Sequence, residues 1–210
     1  MRSRRLRRNR EKPMSNQDNL QPGLRQRAND LWRQLAPSEH KALLIKCWMS
    51  HDARWFMAVA QEYGLPVANQ LNKIAAHEIG KVEAQRLVRA LSLPTVTTLD
   101  DYLLAQEVFI CLLGADLLDY GVVKVSDKAY QMQVQRCFAH ENALRAGIAE
   151  QYECGILARI TGWLAALGLA YEISPSLGKC LRVQGQECIY TIALATGATL
   201  AVSVDHKSGL

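Results

Sequence analysis

The sequence predicts an α+β protein, with a helical N-terminal half packed with an antiparallel sheet and one long helix in the C-terminal half. Three observations predict it. Apolar residues recur at helical spacing from Leu43 to Leu117. The pattern changes at Gly121, after which Tyr130, Met132 and Val134 alternate with Gln131, Gln133 and Gln135, the period-two mark of a strand. A second helical stripe, Tyr152, Ile156, Ile160, Trp163 and Leu167, then separates that strand region from another.

Taken in order, residues 1–27 are polar and read as a disordered tail. Pro37-Ser38-Glu39 opens a helix, since Ser38 can cap and Glu39 suits the positive end. Leu43, Leu44, Cys47, Trp48, Trp55, Phe56 and Val59 continue it, and Gly64 and Pro66 mark a stop and a new start. Leu71, Ile74, Ala75 and Val82 keep the helical spacing until Pro94, and Asp100-Asp101 opens a further helix. Beyond Gly121, Val122–Val125 and Tyr130–Val134 read as strands. A helix from about Glu150 to Leu167 ends at Gly168. Its small residues Gly155, Gly162 and Ala166 would let a sheet approach closely. Leu169–Ile173 reads as a strand, and Cys180–Val183 and Glu187–Leu194 as a hairpin turning at Gln184-Gly185-Gln186. The organisation expected is a tail over 1–27, a helical region over 28–120, an α+β ligand- or metal-binding domain over 121–195 and a C-terminal tail over 196–210.

Charge and composition exclude several classes. The 210 residues carry a net charge of +5, but residues 1–13 hold seven of the Lys and Arg and one acid, leaving 18 basic and 19 acidic residues elsewhere. The basicity belongs to the tail, so no nucleic-acid partner is favoured for the folded part. The tail reads as a solvated arm or an upstream extension ahead of a start at Met14, with an anionic-partner arm and a targeting peptide as alternatives. No apolar stretch reaches the roughly 18–20 residues of a membrane helix, because Arg159 interrupts the longest one. Six cysteines without a signal sequence suggest a reducing, cytoplasmic setting, with thiols or ligands rather than disulfides. There is no glycine-rich phosphate loop, G-x-S-x-G elbow, H-E-x-x-H or dinucleotide fingerprint, so no nucleotide cofactor is expected. A homodimer is open.

Four cysteines carry the candidate chemistry. Cys137 ends a strand, Cys154 starts a helix, and Cys180 and Cys188 sit on neighbouring strands of the expected hairpin. Convergence would make a tetrathiolate site for zinc or an iron–sulfur cluster. The strand parity, however, sets Cys137 on the glutamine side, and none of the spacings is C-x-x-C, so the cysteines read equally as small buried hydrophobes. Cys154, in a first helical turn, is also the best nucleophile, with a thiolate favoured by the helix dipole and His140 the nearest base in sequence. Cys111, in an apolar run, reads as core. A second constellation, Cys47-x-x-x-His51-Asp52, puts Cys47 and His51 on one helical face, where His77 and Glu78 of the next helix could complete a metal site. Trp48, Trp55, Phe56 and Trp163 read as core or as pocket lining.

Several strings carry a resemblance: Arg136-Cys137-Phe138, Ala146-Gly147-Ile148, Tyr152-Glu153-Cys154-Gly155, Gly162-Trp163, Cys180 and Gly185-Gln186-Glu187-Cys188, with Trp48-Met49-Ser50-His51-Asp52 and Trp55-Phe56 upstream. Over residues 38–195 the chain resembles an uncharacterised family of small bacterial and archaeal cytosolic proteins. That family is similar, over 120–195, to the L-2-amino-thiazoline-4-carboxylic acid hydrolase-like proteins and to the 4-vinyl-reductase-type ligand-binding domain. The resemblance implies a small-molecule or metal pocket between helix and sheet and marks His51-Asp52 as functional. Three functions are therefore expected in turn. The first is a small-molecule- or metal-binding protein using Cys137, Cys154, Cys180 and Cys188. The second is a hydrolase or lyase using His51, Asp52 and Cys154, and the third a non-catalytic interaction protein with core cysteines. Whether the chain is an enzyme is not settled by its residues.

Overall fold

The structure is a computed structural model and describes residues 21–114 and 117–195. The basic run over residues 1–13 and the expected C-terminal tail lie outside the described residues. The fold is α+β. The elements are α1 (Gln21–Trp32), α2 (Pro37–Tyr63), α3 (Leu65–Leu91), α4 (Leu99–Ile110), β1 (Leu118–Ser126), β2 (Ala129–Cys137), α5 (Phe138–Arg145), α6 (Gly155–Ala166), β3 (Tyr171–Ser174) and β4 (Ile189–Leu194). The chain divides into two compact units, residues 1–50 and 51–210. The division falls inside α2.

In the first unit, α1 replaces the last part of the expected disordered tail. Its polar residues are good helix formers, and Gln26 Nε2 donates to Asp30 Oδ1 (3.0 Å) one turn on. His40 stacks on Trp32, with ring centroids 4.5 Å apart, and its Nε2 lies 2.8 Å from the Trp32 carbonyl. The α2 start is as expected from Pro37, with the Glu39 carboxylate accepting from the Ala36 N–H (2.7 Å).

In the second unit, Gly64, with φ 86°, separates α2 from α3. Thr98 and Asp101 close a capping box at the head of α4. The four strands form an antiparallel sheet in the order β1-β2-β4-β3, so the last strand lies in the middle. Tyr130, Met132 and Val134 of β2 and Tyr190 and Ile192 of β4 bury their side chains on one face. They form one core with Tyr102 and Phe109 of α4 and with Leu157, Ile160, Trp163 and Leu164 of α6.

The long helix differs from expectation at both its start and its neighbour. Ala149–Gln151 is a short 3-10 turn and α6 begins only at Gly155, because Glu153 pairs antiparallel with Lys179 in between. The close approach encoded by glycine is made by a helix, not the sheet. A Cβ on Gly162 would collide with the His77 carbonyl of α3, and one on Gly80 of α3 with the Arg159 carbonyl of α6. Between these contacts lies a buried ion pair. Arg159 is 6% and Glu83 7% exposed. Arg159 Nε donates to Glu83 Oε2 (2.7 Å), Nη2 donates to Oε1, and Trp163 Nε1 donates to the same carboxylate (3.2 Å). The charged residue that interrupts the apolar run of α6 is thus neutralised from α3.

Two further expectations are corrected. Cys111 is exposed, because α4 stops at Ile110 and leaves it in the turn that follows. The hairpin arm Cys180–Val183 is not a strand. Leu181–Gln184 forms a 3-10 turn that Gly185 ends at φ 71°, and β3 pairs with β4 instead.

Candidate functional site

Cys137, Cys154, Cys180 and Cys188 line one cavity of about 20 Å³ in the second unit. Each arrives by a different route. Cys137 reaches it through a β-bulge. Tyr120 pairs with Val134 and Asp119 with Arg136, which leaves Gln135 as an extra residue in β2. The extra residue shifts the alternation by one and turns Cys137 to the side of Val134, not to the glutamine side that unbroken parity predicts. Cys188 comes by unbroken alternation from Tyr190 and Ile192, and its carbonyl accepts from the Val134 N–H (2.9 Å).

Cys154 and Cys180 are held by two strand-like bonds around the Glu153–Lys179 bridge. Cys154 N–H donates to the Gly178 carbonyl (2.9 Å) and Cys180 N–H to the Tyr152 carbonyl (3.1 Å). Buried Asn69 of α3 fixes the same segment, donating to the Gln151 carbonyl (2.7 Å) and accepting from the Glu153 N–H (3.1 Å). Lys73 adds an ion pair with Glu153. Three of the cysteines occupy the position before a helical element: Cys137 before α5, Cys154 before α6 and Cys180 before the 3-10 turn.

The electrostatics oppose one another. Burial pushes the Cys154 thiol up to about 12, with Cys137 and Cys188 adding to the rise, while the N–H groups of Leu157 and Ile156 act against it. Burial likewise raises Cys188 to about 11 and raises Cys137, whose thiolate is favoured by the N–H groups of His140 and Ala139 and by Arg182. The helix-start effect expected at Cys154 is therefore present but outweighed, and the lowered pKa predicted for it is reversed. Cys180 Sγ lies 3.6 Å from His140 Nδ1. Burial, and then Arg182, lower the His140 pKa, so the ring is neutral at pH 7. Arg182 lies on the cavity wall, where its Nη1 donates to the carbonyl of Gln135, the bulge residue.

His140, Arg182 and Tyr152 complete the wall. Tyr152 stands in the Tyr152-Glu153-Cys154-Gly155 string and His140 is near the cysteines in sequence, whereas Arg182 carries no sequence signal. Among the described residues, no three His, Cys, Asp or Glu side chains already stand in an arrangement that holds a metal ion. The four sulfurs share a cavity without being closed on a common point.

The second constellation does not join the site. The His51 side chain is 79% exposed on α2, with Asp52 Oδ1 3.7 Å from its Nδ1, and neither lines the cavity with Cys154. Cys47 is exposed. His77 Nδ1 lies 3.0 Å from Thr161 Oγ1 of α6, and Glu78 pairs with Lys81. Of the aromatics, Trp163 and Phe56 are core, Phe56 meeting Tyr152 edge-on at 5.9 Å, while Trp55 is exposed.

Residues 38–172 match a family of unknown function, DUF6125, and the chain belongs to that family. No curated protein matches the chain. The match agrees with the uncharacterised family expected from sequence and carries no link to thiazoline hydrolase-like or vinyl-reductase-type proteins. Cys137 and Cys154 lie within the matched residues, and Cys180 and Cys188 lie beyond them.

Proposed function

We propose that this member of the DUF6125 family binds one soft divalent cation, Zn²⁺ for preference, through Cys137, Cys154, Cys180 and Cys188. The supporting observation is that four cysteines from four separate segments line one ion-sized cavity. About 20 Å³ accommodates an occupant the size of a single water or ion. A drug-sized organic ligand needs several hundred Å³. Raised pKa values keep the thiols protonated until a cation compensates the charge, so binding releases protons as the sulfurs rotate inward to bonds of about 2.3 Å. A four-thiolate zinc site has no open position. Its role would be to fasten the end of β2, the start of α6 and the segment before β4 together, with His140 supporting the Cys180 sulfur. The hydrolase or lyase alternative has less support, because it needs His51 and Asp52 beside a reactive Cys154.

The test is metal analysis of protein purified without oxygen, followed by titration of the stripped protein with Zn²⁺. The expected result is about one Zn²⁺ per chain, lost in Cys154→Ser with the metal-free fold retained by circular dichroism. Full zinc retention by Cys154→Ser would overturn the four-ligand reading.

A further inference from the structure

Four thiolates around a divalent cation carry an excess of two negative charges, and a largely apolar cavity must offset them. Two sources of partial positive charge point inward, the N–H groups at the starts of α5 and α6. Of the side chains that line the cavity, the one with a permanent charge is Arg182.

Arg182 is also held there. It sits two residues after Cys180 in the Leu181–Gln184 turn, which is fixed by Gln186 N–H donating to the Leu181 carbonyl (3.0 Å) and Gln184 Nε2 donating to the Lys179 carbonyl (3.2 Å). Its Nη1 donates to the Gln135 carbonyl, which the β-bulge provides beside the turned Cys137. One structural irregularity thus places a thiol in the cavity and an anchor for the cation beside it. Arg182 thus brings a fixed charge to the wall of the cavity that Cys137 and Cys188 also line.

We infer that Arg182 is the fixed countercharge of the cysteine site and sets its affinity for a thiolate-bound metal. This inference rests on the metal-binding reading. Arg182 acts through the thiolates and is a positioning residue in the electrostatic sense, not a ligand.

The test uses the full chain and Zn²⁺ competed against a chromophoric chelator, for wild type, Arg182→Gln and Arg182→Lys. Glutamine removes the charge and falls short of the Gln135 carbonyl, while lysine keeps the charge with a reach close to that of arginine. The expected result is an affinity about 10–100-fold weaker in Arg182→Gln, in the range of outer-sphere partners, with most of it restored in Arg182→Lys. Raising the salt should narrow the gap between wild type and Arg182→Gln, because the side chain is exposed to screening. Equal affinity in Arg182→Gln and wild type would overturn the inference. So would a lysine variant as weak as the glutamine one with a lowered metal-free melting temperature, which would show a structural tie instead. A wild type that binds no Zn²⁺ removes the metal reading and this inference together, whereas tight binding that ignores Arg182 removes the inference alone.

Discussion

The α3–α6 junction and the cysteine cavity both bury polar groups in the same apolar unit, and they resolve the cost differently. At the junction, Glu83 and Arg159 supply opposite charges to each other, Trp163 takes a further lone pair, and glycines bring the two helices into contact around them. Nothing is left over. At the cavity, positive contributions from Arg182 and two helix starts face four cysteines, and burial raises the pKa of Cys137, Cys154 and Cys188. The first region completes its own electrostatics and is architecture. The second leaves its positive contributions unmatched, and on the metal reading proposed above a bound cation would generate the missing negative charge on the sulfurs.

The comparison can be broken first at the junction. Gly162→Ala puts a methyl into the His77 carbonyl, backbone against backbone, with no flexible side chain to yield. It is expected to prevent accumulation of folded protein, as judged by soluble yield and circular dichroism. A variant that folds with unchanged melting temperature would mean the helices are not locked there. Glu83→Gln keeps the shape and strands the Arg159 charge, with an expected loss of about 3–5 kcal/mol in denaturant unfolding. A loss under about 1 kcal/mol would show that water reaches the pair.

The cavity should respond to pH where the junction does not. The unfolded thiols titrate near 9.0, and the folded ones near 11 for Cys188 and 12 for Cys154. Between those values the unfolded chain loses protons first, so deprotonation favours unfolding. Metal-free protein should hold this contribution fully below pH 9 and lose it progressively up to pH 12. Thermal melts at stepped pH check it, with a Cys154→Ala, Cys188→Ala double variant expected to show a shallower alkaline decline. An identical decline in both would locate the effect elsewhere. The smallest effect is expected at His51→Ala, which should alter stability by less than about 0.5 kcal/mol and leave zinc content unchanged. Loss of zinc in that variant would reconnect α2 to the site.

The sequence made the fold class, the central strands and the involvement of all four cysteines legible, because periodicity and element ends are local properties. What it hid is long-range. The bulge at Gln135 leaves no mark in the alternation of Tyr130, Met132 and Val134, yet it reverses the side on which Cys137 lies. Gly162 announced a close approach, but glycine does not say to what, and the partner was a helix. The helix dipole at Cys154 was correctly placed and wrongly weighed, since burial is a property of everything packed around the sulfur. Arg182 was invisible for the same reason: its neighbour Gln135 lies 47 positions away.

The position of β4 has a consequence in time. It is the last strand among the described residues and a central one, inserted between β2 and β3, and Cys188 immediately precedes it. On a ribosome, Cys137 and Cys154 emerge before Cys180 and Cys188, and the sheet holds a vacant lane until β4 is released. The cysteine cavity is therefore assembled late in synthesis, and on the metal reading proposed above a captured cation would report that β4 has been made and seated.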